Sequence, residues 1–203
     1  MWENEGPMPF AILASGVGTN ARALLEKAAA LPKLMKCTAV ISDRAGVPVL
    51  KVAEEFKVPA HVIPFGKEDA LLDLLAEGGC HWAFLAGYKR LVGESFLRFF
   101  SAGSRGYARV LNVHPSLLPA YPGLKAYERA YNDGVKVSGV TVHLVDNGLD
   151  TGLPVLQESF RREEGDSFED FEAKGRKLER ELFPRALELA AKNKIKVSDG
   201  SRW

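Results

Sequence analysis

Apolar runs of strand length alternate with segments of strong helix formers through the first half of this 203-residue chain, and that alternation constrains its fold most. The runs at 10–14, 37–42, 60–63 and 82–86 are each followed by a helix-forming segment, at 21–30, 48–56, 67–76 and 93–100. The run Phe10-Ala11-Ile12-Leu13-Ala14 has no polar residue, as a strand buried on both faces requires. Strands joined through helices pair in parallel with right-handed crossovers. The expected fold is therefore an open, mainly parallel, twisted α/β sheet flanked by helices, with ligands at the carboxyl ends of its strands. Residues 10–203 read as a single domain, and residues 1–9 as a disordered leader.

Two later segments complete the frame. Residues 138–145 alternate as a strand, in which His143 is read as a residue pairing in the sheet rather than a second catalyst. Residues 168–192 suit one long amphipathic helix burying Phe168, Phe171, Leu178, Leu182, Leu187 and Leu189, which Pro184 is expected to kink or divide.

Composition narrows the function by exclusion. The 27 basic and 26 acidic residues nearly cancel, so no broad basic field points to nucleic acid. No apolar run approaches the roughly 18 residues of a membrane span, and the first residues lack the basic and apolar regions of a secretory signal. A cytoplasmic protein is the expectation. Cys37 and Cys80 have no paired spacing, and His61, His81, His114 and His143 are scattered, so neither a disulfide framework nor a metal site is expected.

Two stretches carry candidate chemistry. The first is Ser15-Gly16-Val17-Gly18-Thr19-Asn20, between the first strand and the first helix. Glycines let backbone N–H groups approach an anion, and a helix start adds partial positive charge. The same glycines also serve tight turns with no ligand, and the loop lacks the third glycine of the dinucleotide fingerprint. The second stretch, residues 110–123, holds Asn112 and His114 two positions apart at the end of an apolar run, with Pro115 closing it. Strand periodicity turns both side chains to one face. A carboxamide can donate to a carbonyl oxygen gaining charge, and an imidazole beside it can carry a proton near neutral pH. A satisfied core histidine is the alternative for His114 taken alone.

The wording Asn112-Val113-His114-Pro115-Ser116-Leu117-Leu118-Pro119, followed by Tyr121-Pro122-Gly123, resembles the signature of formyltransferases that use 10-formyltetrahydrofolate. Within them it is most similar to the phosphoribosylglycinamide formyltransferase family, and the resemblance runs from Phe10 to about Leu189. It implies a Rossmann-like formyltransferase fold and transfer of a formyl group to the amine of glycinamide ribonucleotide in purine biosynthesis.

The resemblance also assigns residues. Asp150, in the Asp-x-Gly segment Asp150-Thr151-Gly152, becomes the third catalytic residue beside Asn112 and His114. Gly18, Thr19 and Asn20 hold the ribose phosphate, and Glu179 meets the glycinamide part. The folate falls to Lys67, to Lys89, Arg90, Leu91 and Val92, to Asn112, and to Asp146, Asn147, Gly148, Leu149 and Asp150. The chain departs from the family pattern at Lys89, and in the segment Leu124-Lys125-Ala126-Tyr127, where the family often carries His. Implied partners are glycinamide ribonucleotide and formylfolate, with no metal, no nucleic acid and no membrane, in a monomer or homodimer. A formyltetrahydrofolate hydrolase, with water as acceptor, and a noncatalytic phospho-ligand-binding module stand as alternatives.

Overall fold

The computed structural model describes residues 6–101 and 107–195. The first five residues of the expected leader and residues 102–106 of the connection before the Asn112 strand lie outside the described residues. One seven-stranded sheet in the order β3-β2-β1-β4-β5-β6-β7 forms the centre. Strands β1 (Met8–Leu13), β2 (Met35–Ser42), β3 (Ala60–Val62), β4 (Trp82–Leu85) and β5 (Val110–His114) pair in parallel. Strands β6 (Val137–Leu144) and β7 (Pro154–Arg161) then run antiparallel. The mainly parallel open sheet expected from the alternation is the one observed.

Why β1 lacks polar residues is clear from its two neighbouring layers. Phe10 and Ile12 pack beneath α1 (Thr19–Ala30), α2 (Pro48–Glu55) and α6 (Phe168–Ala191), while Ala11 and Leu13 face α3 (Glu68–Glu77) and α4 (Glu94–Ser101). The strand opens two residues before the apolar run suggested. Met8 is fully buried, and Met8 and Pro9 register against Met35 and Lys36 of β2, so both belong to the sheet and not to the leader.

Helix α6 begins at a capping box, in which Ser167 and Asp170 satisfy each other's backbone N–H groups. It passes through Pro184 as a single 24-residue helix, so the expected division does not occur. A helix-interior proline costs about 3 kcal/mol. Phe183, Leu182, Ala186 and Leu187 flank it and are all fully buried. Burying Phe183 and Leu187 alone contributes about 1.5–3 kcal/mol each, which outweighs that cost. Phe171, Leu182 and Leu187 are buried as expected, whereas Phe168, Leu178 and Leu189 lie half-buried at the edge of the face.

Between β1 and β4 the strand order reverses direction, and such a switch point opens a crevice at the carboxyl ends. The two loops that leave this crevice are tied together: the Lys89 amide donates to Ser15 Oγ at 3.0 Å, and the Ser15 amide to the Gly87 carbonyl at 3.3 Å. At the opposite end of the sheet, His81 joins three strands through its backbone. Its amide donates to the Pro9 carbonyl at 2.9 Å, and its carbonyl accepts from Arg109 Nε at 2.8 Å.

Burial, reinforced by the Arg109 charge, lowers the His81 imidazole from 6.5 to about 4. Between those values the unfolded chain binds a proton that the folded chain refuses, so stability rises with pH across the window and is lost as pH falls from 6.5 toward 4. Thermal melts should show a steeper loss of Tm over pH 6.5 to 5 in the wild type than in His81→Gln. Equal slopes would mean that His81 titrates normally in the fold.

Candidate active site

Alternation along β5 sends Leu111 and Val113 into the core under α1 and α6, and Asn112 and His114 to the opposite face. Antiparallel β6 then sets His143 directly opposite Asn112, and Thr141 opposite His114. Directly opposite residues share a face, so two imidazoles and a carboxamide meet there. The connection from β6 to β7 returns across this face carrying Asp150, whose backbone adopts the left-handed conformation at φ 55°. Aspartate tolerates that region better than most residues.

Asp150 joins the group. Its Oδ2 lies 3.2 Å from His114 Nδ1 and accepts the Gly123 amide at 2.7 Å. Its Oδ1 accepts from Asn112 Nδ2 at 3.4 Å and lies 3.6 Å from His143 Nε2. The residues following His114 form a loop that curls back to complete the arrangement. Tyr121, also left-handed at φ 53°, turns its carbonyl to His114 Nε2 at 2.9 Å, and Gly123 supplies the amide to Asp150. Thr141 and Gln157 clamp this loop: the threonine hydroxyl donates to the Ser116 carbonyl at 2.7 Å, and the Gln157 amide to the Leu118 carbonyl at 2.9 Å.

Protonation follows from these partners. His143 Nδ1 faces the Leu144 carbonyl at 2.8 Å, which assigns the proton to Nδ1 and leaves Nε2 to accept from Asn112 Nδ2 at 3.2 Å. Both nitrogens of His114 face acceptors, a carbonyl and a carboxylate, so a charged ring would be fully hydrogen-bonded. Burial nevertheless holds the His114 pKa below the ordinary 6.5, with the Tyr121 carbonyl and the Asp150 and Glu179 charges pulling the other way. Burial alone would raise Asp150; the Gly123 amide and the His114 imidazole help to outweigh it and hold the carboxyl below 3.8. The resting centre is an ionised carboxylate beside a ring that is easily uncharged and well furnished to hold a proton.

The glycine loop approaches from β1. Gly18 caps α1 at φ 88°, and a Cβ there would stand 2.8–2.9 Å from Val49, so both conformation and space require glycine. No side chain caps α1, and its first turn carries no carboxylate. The Asn20 side chain is spent elsewhere, its Nδ2 donating to Glu179 Oε2 at 2.6 Å. Tyr127, on α5 (Ala126–Asn132), donates its hydroxyl to Glu179 Oε1, also at 2.6 Å. Among the described residues no donor reaches the buried Asn20 Oδ1.

The formyl transferase family model matches residues 8–187. The chain belongs to the formyl transferase family. The phosphoribosylglycinamide formyltransferase of Bacillus subtilis (strain 168) is 32% identical over 185 residues, covering 88% of this chain and 92% of that one. Glycinamide ribonucleotide transformylase 1 from Symbiobacterium toebii superposes with a TM-score of 0.89 at 34% identity, covering 98% of this chain and 94% of the other. The Bos taurus trifunctional purine biosynthetic protein adenosine-3 is 32% identical over 95% of this chain, which spans 19% of its length.

Several of the residues expected to meet folate line two clefts. Lys67, Leu91 and Val92 line a cleft of about 210 Å³ with Phe65 and Tyr88. Asp146 and Asn147 line another, of about 490 Å³, with Leu97 and Val145. Helix α4 contributes to both, Phe96 to the smaller and Leu97 to the larger. Asp146 spends one oxygen within its own loop, accepting from the Gly148 amide at 3.0 Å and the Thr151 hydroxyl at 2.7 Å. Arg90 is committed as well, its Nε donating to the fully buried Asp43 at 2.8 Å and its guanidinium lying over Phe65. In dinucleotide-binding sheets the acid at the end of the second strand takes a ribose hydroxyl. Asp43 is bound to Arg90 instead.

Of the sequence-derived residues, Asn112, His114 and Asp150 come together, and Asn20 meets Glu179. His143 stands in its strand as expected, and also bonds the carboxamide. Its alternating context carried that possibility, but only the register against β5 places it opposite Asn112. Tyr127, the Tyr121 carbonyl and the Gly123 amide carried no chemical signal of their own.

In an NMR titration, His114 should titrate below 6.5 in the wild type, and lower still in Asp150→Asn, where the attraction favouring the charged ring is lost. A wild-type midpoint above 6.5, or none of this displacement in the variant, would contradict the electrostatics described.

Proposed function

We propose that the protein transfers the formyl group of 10-formyltetrahydrofolate to the amine of glycinamide ribonucleotide, a step of purine biosynthesis, as its family relatives do. The observation that carries this reading is the meeting of Asn112, His114 and Asp150 on one face of the sheet, beside His143. The nucleophile belongs to the substrate, so no acyl-enzyme is needed.

The amine attacks the formyl carbon, and the formyl oxygen gains negative charge. Asn112 Nδ2 donates to it by exchanging its hydrogen bond to Asp150, which at 3.4 Å is the longer of its two. His143 keeps the other, and so fixes the carboxamide with its nitrogen forward. His114 takes the proton that the amine nitrogen loses and delivers it to the folate nitrogen as the old C–N bond breaks. The proton passes through Nε2, which exchanges its contact with the Tyr121 carbonyl for the substrate, while Asp150 holds the charged ring through Nδ1.

The start of α1, free of capping side chains and carboxylates, suits the ribose phosphate through the Gly18 and Thr19 amides. Asn20 serves that end of the substrate through its backbone, its carboxamide being held by Glu179. Glu179 and Asn20 Oδ1 offer acceptors to the N–H groups of the glycinamide part. The folate reaches the centre along the wall formed by residues 146–150, with Arg90, Leu91, Val92 and Lys67 beyond it, and Lys89 contributing its backbone.

Losing an oxyanion donor costs about 10² to 10³ in rate, and losing acid–base help about 10² to 10⁴. Asn112→Ala, His114→Ala and Asp150→Ala should therefore keep native circular dichroism and lose about 100-fold or more in kcat. Product analysis with both substrates present decides the acceptor: N-formylated glycinamide ribonucleotide is expected, and free formate as the main product would identify a hydrolase. Near-normal transfer by His114→Ala would remove the proposed proton carrier.

A further inference from the structure

Glu179 is only 9% exposed, and a buried carboxylate must be matched by donors or lose its charge. Its two hydrogen-bond partners, Tyr127 and Asn20, are both neutral, one on each oxygen. They fix its orientation and leave its remaining lone pairs to a further ligand, while the Arg176 guanidinium and the His114 ring feel its charge. The tyrosine reaches it through a gap in helix α6. Phe171, Gly175 and Glu179 follow one another at intervals of four, so they form one stripe along the helix. The Tyr127 ring lies across that stripe, edge-on to Phe171 at 6.3 Å and 89°. Its rim passes over Gly175, where an added Cβ would overlap Cε1, Cζ and the hydroxyl. Glycine is disfavoured inside a helix relative to alanine, so its presence at this position has a packing reason in the ring above it.

We propose that Tyr127 is a positioning residue for the acceptor substrate: through the space that Gly175 leaves, its hydroxyl holds the Glu179 carboxylate at the angle that receives the substrate's N–H groups. The proposal rests on the reading of Glu179 as the residue that meets the glycinamide part. It assigns a role to the place where this chain departs from the histidine-bearing pattern of the family it resembles. Burial and the adjacent carboxylate raise the Tyr127 hydroxyl well above its ordinary 10, so it stays a donor throughout the working range of pH. Phenylalanine would fill the same space without that donor, and this separates positioning from packing.

Steady-state kinetics on the purified full chain test it. A hydrogen bond to a charged group is worth about 1.5–3 kcal/mol, or roughly 10- to 150-fold. Tyr127→Phe should raise KM for glycinamide ribonucleotide about 10-fold, with KM for the formyl donor unchanged and a modest fall in Tm. Glu179→Gln should raise the same KM at least as far, and the double variant should be no worse than Glu179→Gln alone, because the tyrosine acts only through the glutamate. Gly175→Ala should lower Tm in the wild type but raise it in a Tyr127→Ala background. An acceptor KM within twofold of wild type in Tyr127→Phe, while Glu179→Gln raises it, would overturn the role of Tyr127 alone, as would additive effects in the double variant. A wild type that formylates no glycinamide ribonucleotide would overturn the proposed function and this role with it.

Discussion

A single carboxylate sets the geometry on which the reactive face depends. Asp150 touches a residue of β5, the residue after next, a residue of β6 and the backbone of the loop following His114. Each contact is modest alone, and together they leave Asn112 and His114 few alternative rotamers. The left-handed backbone at Asp150 and the left-handed turn at Tyr121 are small costs located where the functional arrangement needs them. The same carboxylate supplies the charge against which an imidazolium can form in a buried place. Without it, the Tyr121 carbonyl and the Glu179 charge alone would oppose the effect of burial on His114.

The sheet explains why these groups can meet. Parallel strands bring the glycine loop and the Lys89 loop to a common crevice, but they cannot place one strand's mid-chain residue opposite another's with matched faces and a short return. The change to antiparallel pairing at β6 does that, setting His143 against Asn112 and allowing the 145–153 connection to fold back over both. On the far side, the long helix α6 carries Glu179 to the same region, where Asn20 at the start of α1 reaches it. Asn20 and Glu179 thus arrive from opposite ends of the chain, and the Glu179 charge is close enough to act on His114.

Much of this was legible in the residues themselves. Continuous apolar runs located β1, β2 and β4, and period-two spacing placed Asn112 and His114 on one face before any register was known. The contribution of His143 was not legible, because alternation marks a strand without saying which residue lies opposite. Nor was the path of α6 through Pro184: local propensity argues for a break there, and buried phenylalanine and leucine on both sides overrule it. Nor did the residues show the contacts that hold Arg90 and Asp146, one paired with Asp43 and the other bonding its own loop. Tyr127 and Gly175 are significant only as a pair, from separate helices, and no periodicity joins them.

A crystal structure of the protein with glycinamide ribonucleotide and a nonreactive analogue of formyltetrahydrofolate tests the central claim most directly. The account predicts the formyl oxygen about 3 Å from Asn112 Nδ2, with the Asn112 contact to Asp150 released and those from His143 and His114 retained. A formyl group seated beyond hydrogen-bond reach of Asn112 and His114, with the Asp150 contact intact, would contradict it.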